Sequence, residues 1–149
     1  SFALKNCKQQ IPKTIDFNNQ DKEILDIFSS NLEKIRSEMD KQNINYYINF
    51  IVNGLFAANK YFNDQEPWKK KDDSVRLGTI VYTTLEIIRK ISFMLYPIIP
   101  ESSLKALKIF DISEDQINLS SISKHDYLKP DSKINSIDIL FKKIEKKDD

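Results

Sequence analysis

An all-α fold follows from three features of this sequence. The 149 residues include only two glycines, Gly54 and Gly78, too few for the tight turns of an all-β protein or for a glycine-rich phosphate loop. Apolar residues recur at helical spacing over several long stretches. Between those stretches Asn, Asp and Pro stand where they cap or stop helices. With 40% hydrophobic residues, one compact domain can bury most of the surface that the unfolded chain exposes. The net charge is +1, so any binding to nucleic acid has to come from a local patch rather than from the whole chain. A single cysteine, Cys7, excludes an intrachain disulfide and a cysteine-based structural zinc site, and fits a reducing compartment. No run is long and apolar enough for a membrane span, and no secretory leader is present, so the expected location is the cytoplasm.

Taken in order, Ser1 to Lys8 opens with Phe2, Ala3 and Leu4 and reads as the end of a helix that starts upstream of this chain, closed at Ile11-Pro12. Asn18 or Asn19 can cap the next helix, with Asp21 and Glu23 in its positive first turn. Ile24, Leu25, Ile27, Phe28, Leu32, Ile35 and Met39 then trace one core helix of about five turns. Asn43 or Asn45 caps a third helix, whose apolar set is Ile44, Tyr47, Ile48, Ile51, Val52, Leu55, Phe56 and Phe62. Asp72, Asp73 and Ser74 offer a cap for a fourth, running from Val75 to Leu95 and stopped by Pro97-Ile98-Ile99-Pro100. Glu101 opens a shorter fifth helix through Leu104, Leu107, Ile109 and Phe110, and Ser113-x-x-Gln116 has the form of a capping box. Residues 118–136, rich in Ser, Asp, Asn and Lys, read as loop. Ile137, Ile139, Leu140, Phe141 and Ile144 are too apolar for a free tail and should pack back on the bundle or on a part of the protein outside this chain, with Lys142 onward fraying. The expected architecture is therefore a bundle of about five helices over residues 1–149, lacking the start of its N-terminal helix and ending in an irregular 118–149 segment.

One stretch offers chemistry. Asn59-Lys60-Tyr61-Phe62-Asn63-Asp64-Gln65-Glu66-Pro67-Trp68-Lys69 ends a helix and presents the only tryptophan. Pro67 pushes Glu66 out of helical geometry, which leaves Trp68 on a stiff elbow directly before Lys69, Lys70 and Lys71. An aromatic face beside positive charge suits a splayed nucleic-acid base and its phosphate. Taken alone, these residues equally describe a ring filling a gap between helices and lysines solvating a loop, and that reading is the commoner one. Asn59 has two readings, a backbone hydrogen bond at the helix end, which is favoured, and a ribose–phosphate contact. Tyr61 reads as core with its hydroxyl at the rim. Lys69, Lys70, Lys71, Arg76, Arg89 and Lys90 are candidates for a phosphate path, although residues 60–90 carry seven basic and five acidic groups, so that path needs a lopsided arrangement in space. His125, in a polar loop, reads as a solvated or turn residue, and with no second histidine there is no nucleophile–base pair. Cys7 reads as a packing thiol.

In combination these features resemble the helical anticodon-binding domain of the methionyl-tRNA synthetase family, class I aminoacyl-tRNA synthetases. The likeness rests on Ala57-Ala58-Asn59-Lys60-Tyr61, on Pro67-Trp68, on a helix with Tyr82, Glu86 and Arg89, on Pro97-Ile98-Ile99-Pro100, and on Lys133-Ile134 with Leu140-Phe141-x-x-Ile144. It covers nearly the whole chain. The related helical domains of the leucine, isoleucine, valine and cysteine synthetases are the near neighbours. The resemblance implies recognition of the CAU anticodon of methionine tRNAs, with Trp68 stacking on the first anticodon base, Pro67 shaping the platform, and Asn59, Lys69, Lys70 and Lys71 beside it. It also implies an Asn and an Arg that discriminate bases, at positions upstream of Ser1. The catalytic half of such an enzyme, which joins methionine to tRNA with ATP and in many members holds zinc, has no counterpart here, so no catalytic residue and no cofactor is expected within this chain. The rival reading is a non-catalytic helical protein-interaction module in which the elbow and the Ile98-Ile99 corner serve only packing or protein contacts.

Overall fold

The computed structural model describes residues 2–13, 15–138 and 140–141. Six α-helices follow one another: α1 (Phe2–Asn6), α2 (Asn19–Ser29), α3 (Leu32–Asp40), α4 (Ile44–Gln65), α5 (Ser74–Leu95) and α6 (Pro100–Leu107). Five of them, α2 to α6, are eight residues or longer, as the periodicity predicts. Short 3-10 turns follow at Pro67–Lys69, Lys108–Phe110, Glu114–Gln116 and Leu119–Ser123. Among the described residues the backbone makes one isolated antiparallel bridge, between Gln10 and Lys133.

Local chemistry sets most helix starts. Asn18 closes a capping box on α2: its side chain accepts from the Asp21 amide at 3.0 Å, and the Asp21 carboxylate accepts from the Asn18 amide at 2.9 Å. Asn43 caps α4 through the Tyr46 amide, and Asp73 caps α5 through the Arg76 amide. The capping box expected at Ser113 and Gln116 forms as well.

Two boundaries differ from expectation. The single helix predicted from Asn19 to Met39 is broken at Ser30 and Asn31, giving α2 and α3. Ser30 donates its hydroxyl to the Asp26 carbonyl at 2.7 Å and Asn31 donates its amide to the Ile27 carbonyl at 2.9 Å. These side chains compete with the backbone bonds that would carry the helix onward. At the N-terminus, α1 ends at Asn6 rather than Ile11, because Lys8 and Gln9 take left-handed φ values of 50° and 59°. That turn brings the buried Ile11 against the C-terminal segment, where its amide donates to the Ser132 carbonyl at 2.8 Å. Ser1 lies outside the described residues.

α5 is the central element, with Ile80, Val81, Tyr82, Leu85, Ile87, Ile91, Phe93 and Met94 all buried. α4 runs antiparallel to it: the Tyr47 hydroxyl, near the start of α4, donates to the Met94 carbonyl at the end of α5 at 2.6 Å. Burial pushes the Tyr47 phenol up to about 12. α2 crosses both, and Gly54 lets it approach: a Cβ there would stand 2.6 Å from the Phe28 ring.

The apolar set assigned to α4 is only partly core. Tyr47 and Ile51 are buried and Phe62 is half-buried, whereas Ile44, Ile48, Val52, Leu55 and Phe56 are exposed, Phe56 by 69%. The helix is apolar over more than one face, and only the side that meets α2, α3 and α5 is covered. Past α6, residues 119–123 form a 3-10 turn where a loop was expected, and Ile122, Leu128 and Ile134 bury themselves against the bundle. Farther on, Ile137 and Leu140 are half-buried and Phe141 is 66% exposed, so the expected packing-back reaches only part of this segment. Ile139, Ile144 and the stretch from Lys142 onward lie outside the described residues.

Candidate nucleic-acid interface

The elbow predicted around Trp68 forms, and its geometry is specific. α4 stops at Gln65, and Glu66 then adopts left-handed backbone angles of φ 44° and ψ 55°. Pro67 is buried at the head of the 3-10 turn Pro67–Lys69. Trp68, the next residue, is 43% exposed. Its indole leans on Phe62, with ring centroids 6.3 Å apart and planes at 57°, and Phe62 in turn takes the edge of Phe2 at 5.7 Å. One side of the indole is therefore supported by the bundle while much of the ring remains open to solvent.

The charged candidates separate. Lys69 pairs with Glu66 at 2.7 Å, while Lys70 is half-buried and Lys71 exposed, with no ion pair among the described residues. Asn59 sits exposed on α4, three residues before Phe62, and makes no side-chain hydrogen bond among the described residues. The helix-end backbone bond favoured for Asn59 is therefore not made, because α4 continues beyond it to Gln65.

Three other cations do not belong to an exposed phosphate path. Arg89 and Lys90 are 0% exposed. Arg89 pairs with Glu86 at 2.7 Å, lies 4.4 Å from the centre of the Tyr127 ring, and donates to the carbonyls of Ser121 and Lys124. Lys90 donates to the Ile122 carbonyl and the Ser29 hydroxyl. Burial, reinforced by the neighbouring Arg89 charge, pushes Lys90 down to about 8. Arg76 faces inward and grips Asp21 through both guanidinium nitrogens, at 2.6 and 2.9 Å.

Asp21 is the residue whose role sequence reasoning missed. The helix start accounts for its place in the chain, yet its carboxylate is 0% exposed and takes the Tyr61 hydroxyl as well as Arg76. Burial pushes this carboxyl up, and the Arg76, Tyr61 and Asn18 hydrogen bonds outweigh burial and leave it below the usual aspartate value. Tyr61 is accordingly buried, its hydroxyl directed inward rather than at the rim, and burial beside Asp21 raises its phenol well above the ordinary range. Only the place of Asp21 in the first turn of a helix can be read from the sequence, because its partner Arg76 lies 55 residues away.

His125 is partly buried rather than free in solvent, 3.1 Å from the Ser29 hydroxyl and 3.3 Å from Asp26. Burial and the nearby Lys90 lower its imidazole below the usual value. Burial likewise raises the Cys7 thiol, as suits a packing residue. Among the described residues no cluster of His, Cys, Asp and Glu is placed to hold a metal ion, and no helix is long and apolar enough to cross a membrane.

An all-α bundle that presents one supported, half-open indole on a proline elbow has the form of a helical nucleic-acid-binding domain of the kind attached to aminoacyl-tRNA synthetases. The fold matches the crystal structure of apo Mycobacterium tuberculosis methionyl-tRNA synthetase with a TM-score of 0.89 at 26% identity, over 98% of this chain and 30% of that one. The same enzyme in complex with methionyl-adenylate matches with a TM-score of 0.87, over 95% of this chain and 28% of that one. Residues 11–149 match the model of the anticodon-binding domain of methionyl-tRNA ligase, and this chain belongs to that family. Among curated relatives, the methionine–tRNA ligase of Brucella suis is 36% identical over 82% of this chain, and that of Rhizobium meliloti 32% over 83%. The chain spans about a quarter of those relatives' length, 24% in both cases.

Proposed function

We propose that this chain binds methionine tRNA at its CAU anticodon, as part of an enzyme that joins methionine to that tRNA at the expense of ATP. The observation that carries this reading is the placement of Trp68, the only tryptophan: it is held half-exposed on a braced elbow instead of filling the core, in a chain of this family. The indole would stack on the first anticodon base, with Pro67 holding the turn. Lys70, Lys71 and Asn59 would meet the strand's phosphates and riboses, and Lys69 would do so by giving up Glu66. Stacking on an aromatic is worth roughly 1–3 kcal/mol and accepts any base, so discrimination requires hydrogen-bonding groups beyond the ring. No ATP or zinc site is assigned to the chain, in keeping with a sequence without a glycine-rich loop and with no cluster of metal ligands among the described residues. ATP would be held by the remainder of the enzyme, as would zinc in those members of the family that carry it, and the enzyme would act in the cytoplasm.

The test uses Trp68 as its own reporter. The chain is titrated at low salt with a methionine-type anticodon stem-loop and with the same hairpin altered at its first anticodon base, while tryptophan emission is followed. Saturable quenching by the CAU hairpin, weaker for the altered one, is the expected result. Equal quenching by both would keep Trp68 as a platform and move base discrimination outside this chain. If the hairpin still fails to quench Trp68 when the chain is extended upstream, Trp68 is a packing residue and the reading is lost.

A further inference from the structure

Pro67 takes Glu66 out of helical geometry, and Glu66 settles in the left-handed region at the end of α4. A non-glycine residue in that region is disfavoured by steric contact with its own Cβ, and persists only where the surroundings over-determine it. The surroundings here form a polar clamp at the base of the elbow. Gln65, the last residue of α4, accepts from Arg76 Nη2 at 2.5 Å and donates to Gln20 Oε1 at 2.7 Å. Arg76 is fixed by its two-nitrogen grip on the buried Asp21, and Asp21 is fixed by Tyr61 and by the Asn18 amide. The Gln65–Arg76 bond spans 11 residues and closes the loop that carries Glu66, Pro67, Trp68 and the three lysines. Beyond this bond the turn is held by local backbone bonds, such as Lys69 to Glu66, by the Lys69–Glu66 ion pair, by the buried Pro67 and by the contact of the indole with Phe62.

We propose that Gln65 and Arg76 are positioning residues for the Trp68 platform: by closing the loop at its base they hold the indole in the one orientation in which it is both braced by Phe62 and open to a base. A loop pinned at both ends has few conformations left to lose on binding, so its ring is pre-organised for a partner. The consequence for RNA binding rests on the stacking role proposed for Trp68. The effect on the indole itself does not.

The test compares Gln65→Leu, which removes both hydrogen bonds at similar volume, with Gln65→Glu, which keeps an acceptor for Arg76. In the free chain, Gln65→Leu should lower Trp68 anisotropy and raise its quenching by acrylamide, while the helical signal and its cooperative melt persist. Affinity for the CAU hairpin should fall roughly tenfold, the size expected for one hydrogen bond to a charged group. Gln65→Glu should restore both readouts to near the parent. Parent-like anisotropy and quenching in Gln65→Leu would overturn the proposal, and so would equal disturbance by Leu and Glu, since shape alone would then be at work. If Gln65→Leu loses its cooperative melt, Arg76→Lys takes its place, keeping the charge opposite Asp21 but losing the rigid planar fork that grips Asp21 through two nitrogens and Gln65 at once. Trp68→Ala separates the two ideas: unchanged hairpin affinity in that variant removes the stacking role, whereas a loss there with parent-like behaviour in Gln65→Leu removes only the clamp.

Discussion

Trp68 and Asp21 are opposite uses of a side chain. The indole covers Phe62 with part of its surface and leaves 43% open, so the fold depends on it little. Trp68→Ala should cost about 1–2 kcal/mol of stability and weaken hairpin binding by roughly tenfold or more; a thermal melt and the hairpin titration check the two halves. Loss of cooperative unfolding in that variant would make Trp68 a core residue. Asp21 is fully buried beneath Arg76 and Tyr61. Asp21→Asn leaves Arg76 facing a neutral partner and should destabilise the chain by about 3 kcal/mol, measured by denaturant unfolding. Because the folded Asp21 carboxyl lies below its ordinary 3.8, its contribution is complete above that value and is lost as pH falls through the folded value. A shallower acid-induced loss of stability in Asp21→Asn than in the parent is the matching observation. The caps Asn18, Asn43 and Asp73 can each be narrowed to two or three neighbouring candidates in the sequence, because each acts on a backbone amide three residues away. The second role of Asp21 cannot be read there, because Arg76 reaches it only through the fold.

Among the helices, α4 shows how far periodicity goes. Its length, its cap and its stop before Pro67 are all set locally, by Asn43 at one end and by the proline at the other. Its buried face is not set locally, since Ile44, Ile48, Val52, Leu55 and Phe56 satisfy a helical pattern as well as Tyr47 and Ile51 do. Gly54 marks the contact that decides between them. In isolation alanine would favour this helix, but a Cβ at 54 would meet the buried Phe28 ring at 2.6 Å. Gly54→Ala should therefore destabilise the chain by about 1–3 kcal/mol, and Phe28→Leu in the same chain should recover part of the loss; chemical denaturation of the two variants and the double variant checks the coupling. The α2–α3 break has a local cause in Ser30 and Asn31. The apolar run across it hides that cause, because Ile24, Leu25, Phe28 and Ile35 keep their burial on both sides.

For the molecule as a whole, the buried charges of α5 govern how stability responds to pH. Lys90 titrates near 8 in the fold against an ordinary 10.5. Between those values the unfolded chain holds a proton that the folded chain has released, so stability rises with pH across this window. The gap corresponds to roughly 3 kcal/mol at most. Four groups work against it: the raised Cys7 thiol from its ordinary 9.0 upward, and the raised phenols of Tyr47, Tyr61 and Tyr82 above 10. Lys90→Met should remove the rise between pH 8 and 10 while leaving the later fall, as read by urea unfolding at a series of pH values. Helix positions, caps and the Trp68 elbow were open to sequence reasoning because they arise from contacts within a few residues, where spacing and side-chain type are enough. Which cations meet solvent, which face of α4 is covered and what holds the elbow closed were decided by tertiary contacts. Asp21–Arg76 spans 55 residues, Leu128–Glu86 spans 42 and Arg89–Lys124 spans 35, and only packing α2, α4, α5 and the C-terminal segment together selects those partners from chemically equivalent residues.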